Sequence, residues 1–243
     1  MDVESNADAR WDVADRGVDV MFDRAERMDD EIGSLADETT ELGVYAEDIF
    51  KNAAAALYER GTEAALFGLD TSRVCARLHT AIHLKGLSII AWHAPGPDVT
   101  RRIVGLQQIA ADFARIAADG GQIAEQALFF SGSAESDLLL AGGDTPLHLI
   151  ELIRQTYVEV RGCVIATTTW NTAMARRLIV EDTELDRLFL SYKHALDTAI
   201  AANARGAARL QRLLLVGVHL EDIGNRVVSI CRTLLYSPPG VGS

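Results

Sequence analysis

The sequence predicts an all-α protein made of two tandem three-helix bundles with long antiparallel helices. Three observations predict it. No stretch of the 243 residues alternates apolar and polar positions as a half-buried strand would. Apolar residues recur instead every three or four positions over long runs, which places them on one face of a helix. Three such runs, a Gly- and Ser-rich break and three further runs follow one another. The second half therefore repeats the helix order of the first with little identity of residues.

In the first helix, apolar or small residues fall at 11, 14, 18, 21, 25, 28, 32, 35, 42, 46, 49, 53 and 56, with Thr39 filling the gap. This heptad spacing predicts lengthwise packing with a slight left-handed supercoil. Unbroken to Arg60, the helix would be on the order of 75 Å long. Gly17, Gly33 and Gly43 are the places where it would break or bend. Shorter neighbours cannot cover residues 8–27, so residues 1–27 are expected to form an acidic helical extension. Trp11, Val18 and Met21 then need another surface: a second subunit, as in a homodimer, or a fold-back as a separate helix.

Gly61 and Thr62 read as a stop and restart, with Thr62 the N-cap of a second helix to about Trp92. The run HAPGPD, residues 93–98, must turn, because two prolines and a glycine cannot continue a helix. A third helix follows from Pro97 to Phe130, with Ile103, Leu106, Ile109, Ala110, Phe113, Ile116 and Ile123 on its stripe. Residues 28–131 are thus the first bundle and residues 132–144 the linker. Pro146 opens a fourth helix to about Thr169. A turn at Trp170 and Asn171 leads to a fifth ending near Ala202, and a Gly206 turn to a sixth. Residues 145–236 form the second bundle, and SPPGVGS, residues 237–243, a disordered tail.

The net charge of −12 is concentrated at one end. Residues 1–48 hold 16 acids against four arginines, whereas the remainder holds 19 acids and 19 bases. An acidic face repels nucleic acid and suits cations or a basic protein partner. Cys75, Cys163 and Cys231 lie far apart in apolar surroundings, as reduced buried residues do. With no long apolar span and an acidic N-terminus, the expectation is a cytoplasmic protein with at most peripheral membrane association.

The densest stretch is HLEDIGNRVVSICRTLLY, residues 219–236. Leu220, Ile223, Val227, Ile230 and Leu234 form its buried stripe. Glu221 and Asn225 stack one turn apart beside it, where two oxygen donors can share a cation, and Gly224 lets an ion or another backbone come close. Alternatively, Asp222 and Arg226 make this a solvated face with a weak i,i+4 ion pair.

HLEDIGNR followed by ICRTLLY resembles the LERIGDR signature on the last helix of PhoU proteins, regulators tied to phosphate uptake. DFARIAADGGQIA, residues 112–124, resembles the first copy of that motif. IIAWHAPGPDVTRRI resembles the family's alanine, proline, then DLR segment, with Pro95 and Arg101 retained. AMARRLIVEDTELD, residues 173–186, places Glu181, Asp182 and Asp186 where such proteins carry acids. The similarity spans about residues 28–236. It implies the tandem-bundle fold and negative regulation of a Pst-type phosphate transporter, acting on its ATPase, and of a PhoR-type histidine kinase. It also implies sites for iron or another divalent cation at E/D-xxx-D/N motifs. Glu221 with Asn225, and Asp182 with Asp186, keep that pattern in the second half. In the first half the acids are replaced by Ala114 and Ala118, and the matching pair on the second helix has become His79 and His83.

His79 and His83, at i and i+4, have the spacing of a zinc pair. Thr80 stands where a zinc protease needs its catalytic glutamate, so that chemistry is excluded. The acids at 181, 182 and 186 have a solvated-face alternative, with Arg177 one turn before Glu181. Oxygen-rich sites of this kind suit Mg, Ca, Mn or iron better than zinc. Arg101 and Arg102 open a helix where an anion can bind. No nucleophile with a base and no phosphate loop is visible, so the leading expectation is a regulatory adaptor and not an enzyme. A structural interaction bundle without a phosphate role is the alternative. A di-iron or ferritin-like protein ranks last, because no histidine has a glutamate three positions before it.

Overall fold

The structure, a computed structural model, describes residues 5–59, 61–131, 144–202 and 207–237, with side chains described over 24–59, 61–131, 148–201 and 207–237. Among the described residues there are six helices: α1 Ser5–Glu59, α2 Thr62–His93, α3 Pro97–Ser131, α4 Asp144–Thr168, α5 Thr172–Ala202 and α6 Ala207–Tyr236. The fold is the all-α tandem bundle that the periodicity predicts, α1–α3 packing together and α4–α6 packing together. Among the described residues no helix is long and apolar enough to cross a membrane.

The α1 heptad stripe is core: Ile32, Leu35, Thr39, Leu42, Ala46, Ile49, Ala53 and Ala56 are all buried. Thr39 is tolerated there because its hydroxyl donates to Leu35 O at 2.8 Å. α1 runs unbroken through its glycines as one helix of 55 residues, so the folded-back alternative for its first part does not form. Gly43 serves a close approach, since a Cβ there would lie 2.8 Å from the Phe113 ring on α3. The tip of α2 is pinned to α1 by His93 Nε2 against Glu31 Oε2 at 3.2 Å and by Arg24 Nη2 donating to Trp92 O at 2.8 Å. Beyond that tip α1 continues for the better part of its first 20 residues. The side chains of Trp11, Val18 and Met21, and the linker and tail at 132–143 and 238–243, lie outside the described residues.

Turn chemistry differs from expectation in two places. Gly61, not Thr62, occupies the N-cap of α2 and gives it no side-chain bond. Ser237, read as the start of the tail, is buried, with its N–H donated to Thr233 O at 3.0 Å. The other turns follow the sequence. Ala94 takes the left-handed conformation, φ 46°, and caps α2 by donating to Ile90 O. Asn171 caps α5 by accepting from the Met174 N–H at 2.9 Å.

The two bundles meet mainly along α3 and α6, with a second contact of α1 on α4 where Tyr157 stacks on Phe50 and donates to Glu47 at 3.3 Å. The α3–α6 seam is antiparallel and polar. Asp112 meets Arg226 at 3.9 Å, Asp119 meets His219 at 2.9 Å, and Gln126 accepts from Arg212 at 2.9 Å. Each rung lies one heptad from the next on both helices, so the seam runs straight down both.

Candidate functional site

The second bundle gathers its carboxylates around Glu159 on α4. Glu159 is fully buried; its Oε1 accepts from Gln155 at 2.9 Å and its Oε2 has no hydrogen-bond partner. Loss of solvent pushes its pKa up to about 7, and the charges of Asp182, Glu181 and Asp186 on α5 push the same way against the Gln155 bond. Asp182 is also raised, first by desolvation, then by Asp186 and by Glu221 of α6, with Arg232 opposing. Acids that the sequence places on two helices therefore face one another, joined by a third-helix carboxylate.

The pieces are unequally placed. Asp182, Glu181 and Glu221 are half-buried, while Asp186 and Asn225 are exposed. Asn225 Nδ2 donates to Glu221 Oε1 at 2.9 Å, so this i,i+4 pair is closed on itself. Glu181 is engaged by Arg177 at 3.3 Å, the solvated-face alternative realised for that residue. Gly224 does bring α5 and α6 together, but the space it opens is filled by Leu185, with Asp182 Oδ1 3.3 Å from where a Cβ would sit. The orphaned Glu159 oxygen and the mutual repulsion of these acids fit a cation of the Mg, Mn or iron kind. Among the described residues no three of these carboxylates bring oxygens within 4.8 Å of one another, so the group is an open cluster and not a closed cage.

Glu159 was missed by reasoning from motifs, though periodicity carries the signal. Leu152, Thr156, Glu159, Cys163 and Ala166 fall on one helical stripe, and all five are buried. A lone acid on a core stripe demands a partner.

In the first bundle His79 and His83 share one face of α2, and among the described residues no carboxylate joins them in a group of three. The His79 pKa is lowered by desolvation, then by His83 and by Arg115 of α3. Gln107 Nε2 donates to His83 O at 2.8 Å and lies 3.4 Å from its Nδ1. A guanidinium beside the imidazoles opposes a cation there. Arg101, the other candidate ligand-holder, pairs with Asp98 at 2.9 Å. Arg226 turns toward Asp112, so the predicted Asp222–Arg226 pair does not form among the described residues.

This fold and this carboxylate cluster define the class as a tandem three-helix-bundle protein with an acidic face on its second bundle. No protein-family model matches the chain. It is 24% identical over 213 residues, 88% of this chain and 87% of the relative, to a "Phosphate-specific transport system accessory protein PhoU homolog" of Rhizobium meliloti (strain 1021). It is 23% identical over 192 residues, 79% of this chain and 83% of the relative, to one of Aquifex aeolicus (strain VF5). Among solved structures, PhoU from Pseudomonas aeruginosa matches with TM-score 0.79 at 18% identity, covering 86% of this chain and 97% of that one. The PhoU regulatory protein from Streptococcus pneumoniae matches with TM-score 0.76 at 17% identity, covering 88% and 97%. Together these likenesses support a divergent member of the PhoU family.

Proposed function

We propose that this protein is an accessory regulator of phosphate-specific transport, working through protein contacts and not catalysis. The observation that carries it is the match of nearly the whole described fold to PhoU structures and relatives. Its partners are a Pst-type transporter ATPase and a PhoR-type histidine kinase, engaged from the cytoplasm by a homodimer with at most peripheral membrane association. Glu159, Asp182, Asp186 and Glu221, with Glu181 and Asn225 at the edge, would hold a hard divalent cation or iron that screens their mutual repulsion. His79 and His83 take no part in metal binding.

The test is deletion in the native host, followed by phosphate uptake and a phosphate-responsive reporter at high phosphate. The reporter is expected to be switched on without the chain and silenced again by the wild type. A reporter unchanged by deletion would overturn the proposal. It would favour an interaction bundle without a phosphate role, a second reading suggested by the loss of the first-half acids at Ala114 and Ala118.

A further inference from the structure

We propose that Asp119, His219 and Asp222 form a divalent metal site that bridges the two bundles at the middle of the α3–α6 seam. Asp119 comes from the first bundle, and His219 and Asp222 stand one turn apart on α6. One ligand atom from each lies within 4.8 Å of the other two. Donors at about 2.0–2.2 Å from a common ion stand roughly 3.0–3.6 Å apart; Asp119 Oδ1 and His219 Nδ1 are already 2.9 Å apart, so bringing in the Asp222 carboxylate completes the coordination. Among the described residues this is the one group of three His, Cys, Asp or Glu side chains gathered so closely.

The surroundings set this rung apart from its neighbours. Asp112 is answered by Ser229, which donates at 2.6 Å, by Gln108 at 3.3 Å and by Arg226. Gln126 is answered by Arg212, whose guanidinium also lies 3.8 Å over the Phe129 ring. At the middle rung one imidazole faces two carboxylates. Among the described residues neither Asp119 nor Asp222 has a lysine or arginine partner. A cation is the missing charge. The side chains of His219 and Asp119 are 21% and 20% exposed, which leaves an ion a way in while removing much of the competing water.

The donor set identifies the class of ion. One nitrogen with two carboxylate oxygens suits Zn, Mn or Fe(II), whereas Ca and Mg favour oxygen alone. Three protein ligands leave a position for water. The site is separate from the Glu159 cluster, because Glu221 and Asp222, adjacent on α6, point about 100° apart around the helix. It therefore stands whether or not the acids of α4 and α5 bind metal. Occupancy would tie the bundles to each other at the centre of their contact.

The test uses the full chain, stripped with chelator and titrated with zinc and with cobalt by calorimetry and visible absorption. One His219-dependent ion per chain is expected, beside any held by the Glu159 cluster. His219→Ala and Asp222→Asn should each weaken it roughly tenfold or more, since even losing groups that only support a ligand costs that much. Asp70→Asn, at an exposed ion pair on α2, should leave this binding unchanged. Asp222→Asn keeps the Asp119–His219 hydrogen bond, so zinc should raise the melting temperature of the wild type and not of this variant. No binding, binding indifferent to His219→Ala and Asp222→Asn, or binding lost equally in Asp70→Asn would overturn the site.

Discussion

Replacing Glu159 with glutamine should stabilise the protein, and only above pH 5. In the fold the Glu159 carboxyl has its pKa raised from 4.5 to about 7. Below pH 4.5 it is protonated in both folded and unfolded chains and costs nothing. Between 4.5 and 7 the unfolded chain releases a proton that the folded chain retains, so stability falls with rising pH by about 1.4 kcal/mol per unit. Above 7 the loss levels off at about 3 kcal/mol. Glutamine keeps the shape, can still accept from Gln155, and turns an N–H₂ toward the α5 acids in place of a charge. Urea unfolding followed by helical circular dichroism at pH 5, 6, 7 and 8, in chelator, reads the difference directly. Glu159→Gln should match the wild type within about 1 kcal/mol at pH 5 and exceed it by about 3 kcal/mol at pH 8. A difference that does not change with pH would refute the assignment of the buried charge. If the cluster binds a hard cation, adding manganese at pH 8 should restore the wild type and narrow the gap, because the ion binds only the folded chain.

Three further outcomes follow from single contacts. Asp112→Ala removes the anion that Ser229 and Arg226 share at the buried seam, and should cost about 2–3 kcal/mol in urea unfolding at pH 7; a loss below 1 kcal/mol would mean the seam adds little. Gly217→Ala would place a Cβ 2.5 Å from the buried Tyr192 ring, whose hydroxyl is held by donating to Leu213 O at 2.7 Å. The ring cannot swing away, so overpacking of about 1–3 kcal/mol should outweigh the helix-propensity gain of about 1 kcal/mol, visible as a lowered urea midpoint. Arg115→Gln should raise the His79 pKa by removing one of the charges that depress it, as followed by NMR titration of the imidazole. An unmoved titration would show that burial and His83 set it without Arg115.

Periodicity carried the fold because a helix stripe is a local property. Ile223, Val227 and Leu234 are buried where their spacing says they should be. The continuity of α1 was less legible: glycine reports both a break and a close approach, and only the Phe113 ring opposite Gly43 decides between them. The carboxylate cluster was half legible. Asp182 and Glu221 lie in recognisable motifs, whereas Glu159 belongs to no motif and becomes a site residue only because α4 brings it to α5. The Asp119, His219 and Asp222 group was not legible, since Asp119 lies a hundred residues before His219 and meets it only through packing of one bundle on the other.

The two copies of the motif differ unevenly. Set DFARIAAD, residues 112–119, over HLEDIGNR, residues 219–226: Asp112 matches His219, Asp119 matches Arg226, and Ala114 and Ala118 match Glu221 and Asn225. In the antiparallel seam the first position of each copy meets the last of the other, Asp112 with Arg226 and His219 with Asp119. Of the third and seventh positions, Glu221 acts on Asp182 of α5, while Ala118 and Asn225 are exposed. One eight-residue segment thus serves two surfaces with different residues. The pairing that joins the bundles constrains both copies at once, because changing one end unbalances a rung shared with the other. The third and seventh positions belong to none of these rungs, so Ala114 and Ala118 stand where the second copy has Glu221 and Asn225 without altering the pairs that join the bundles.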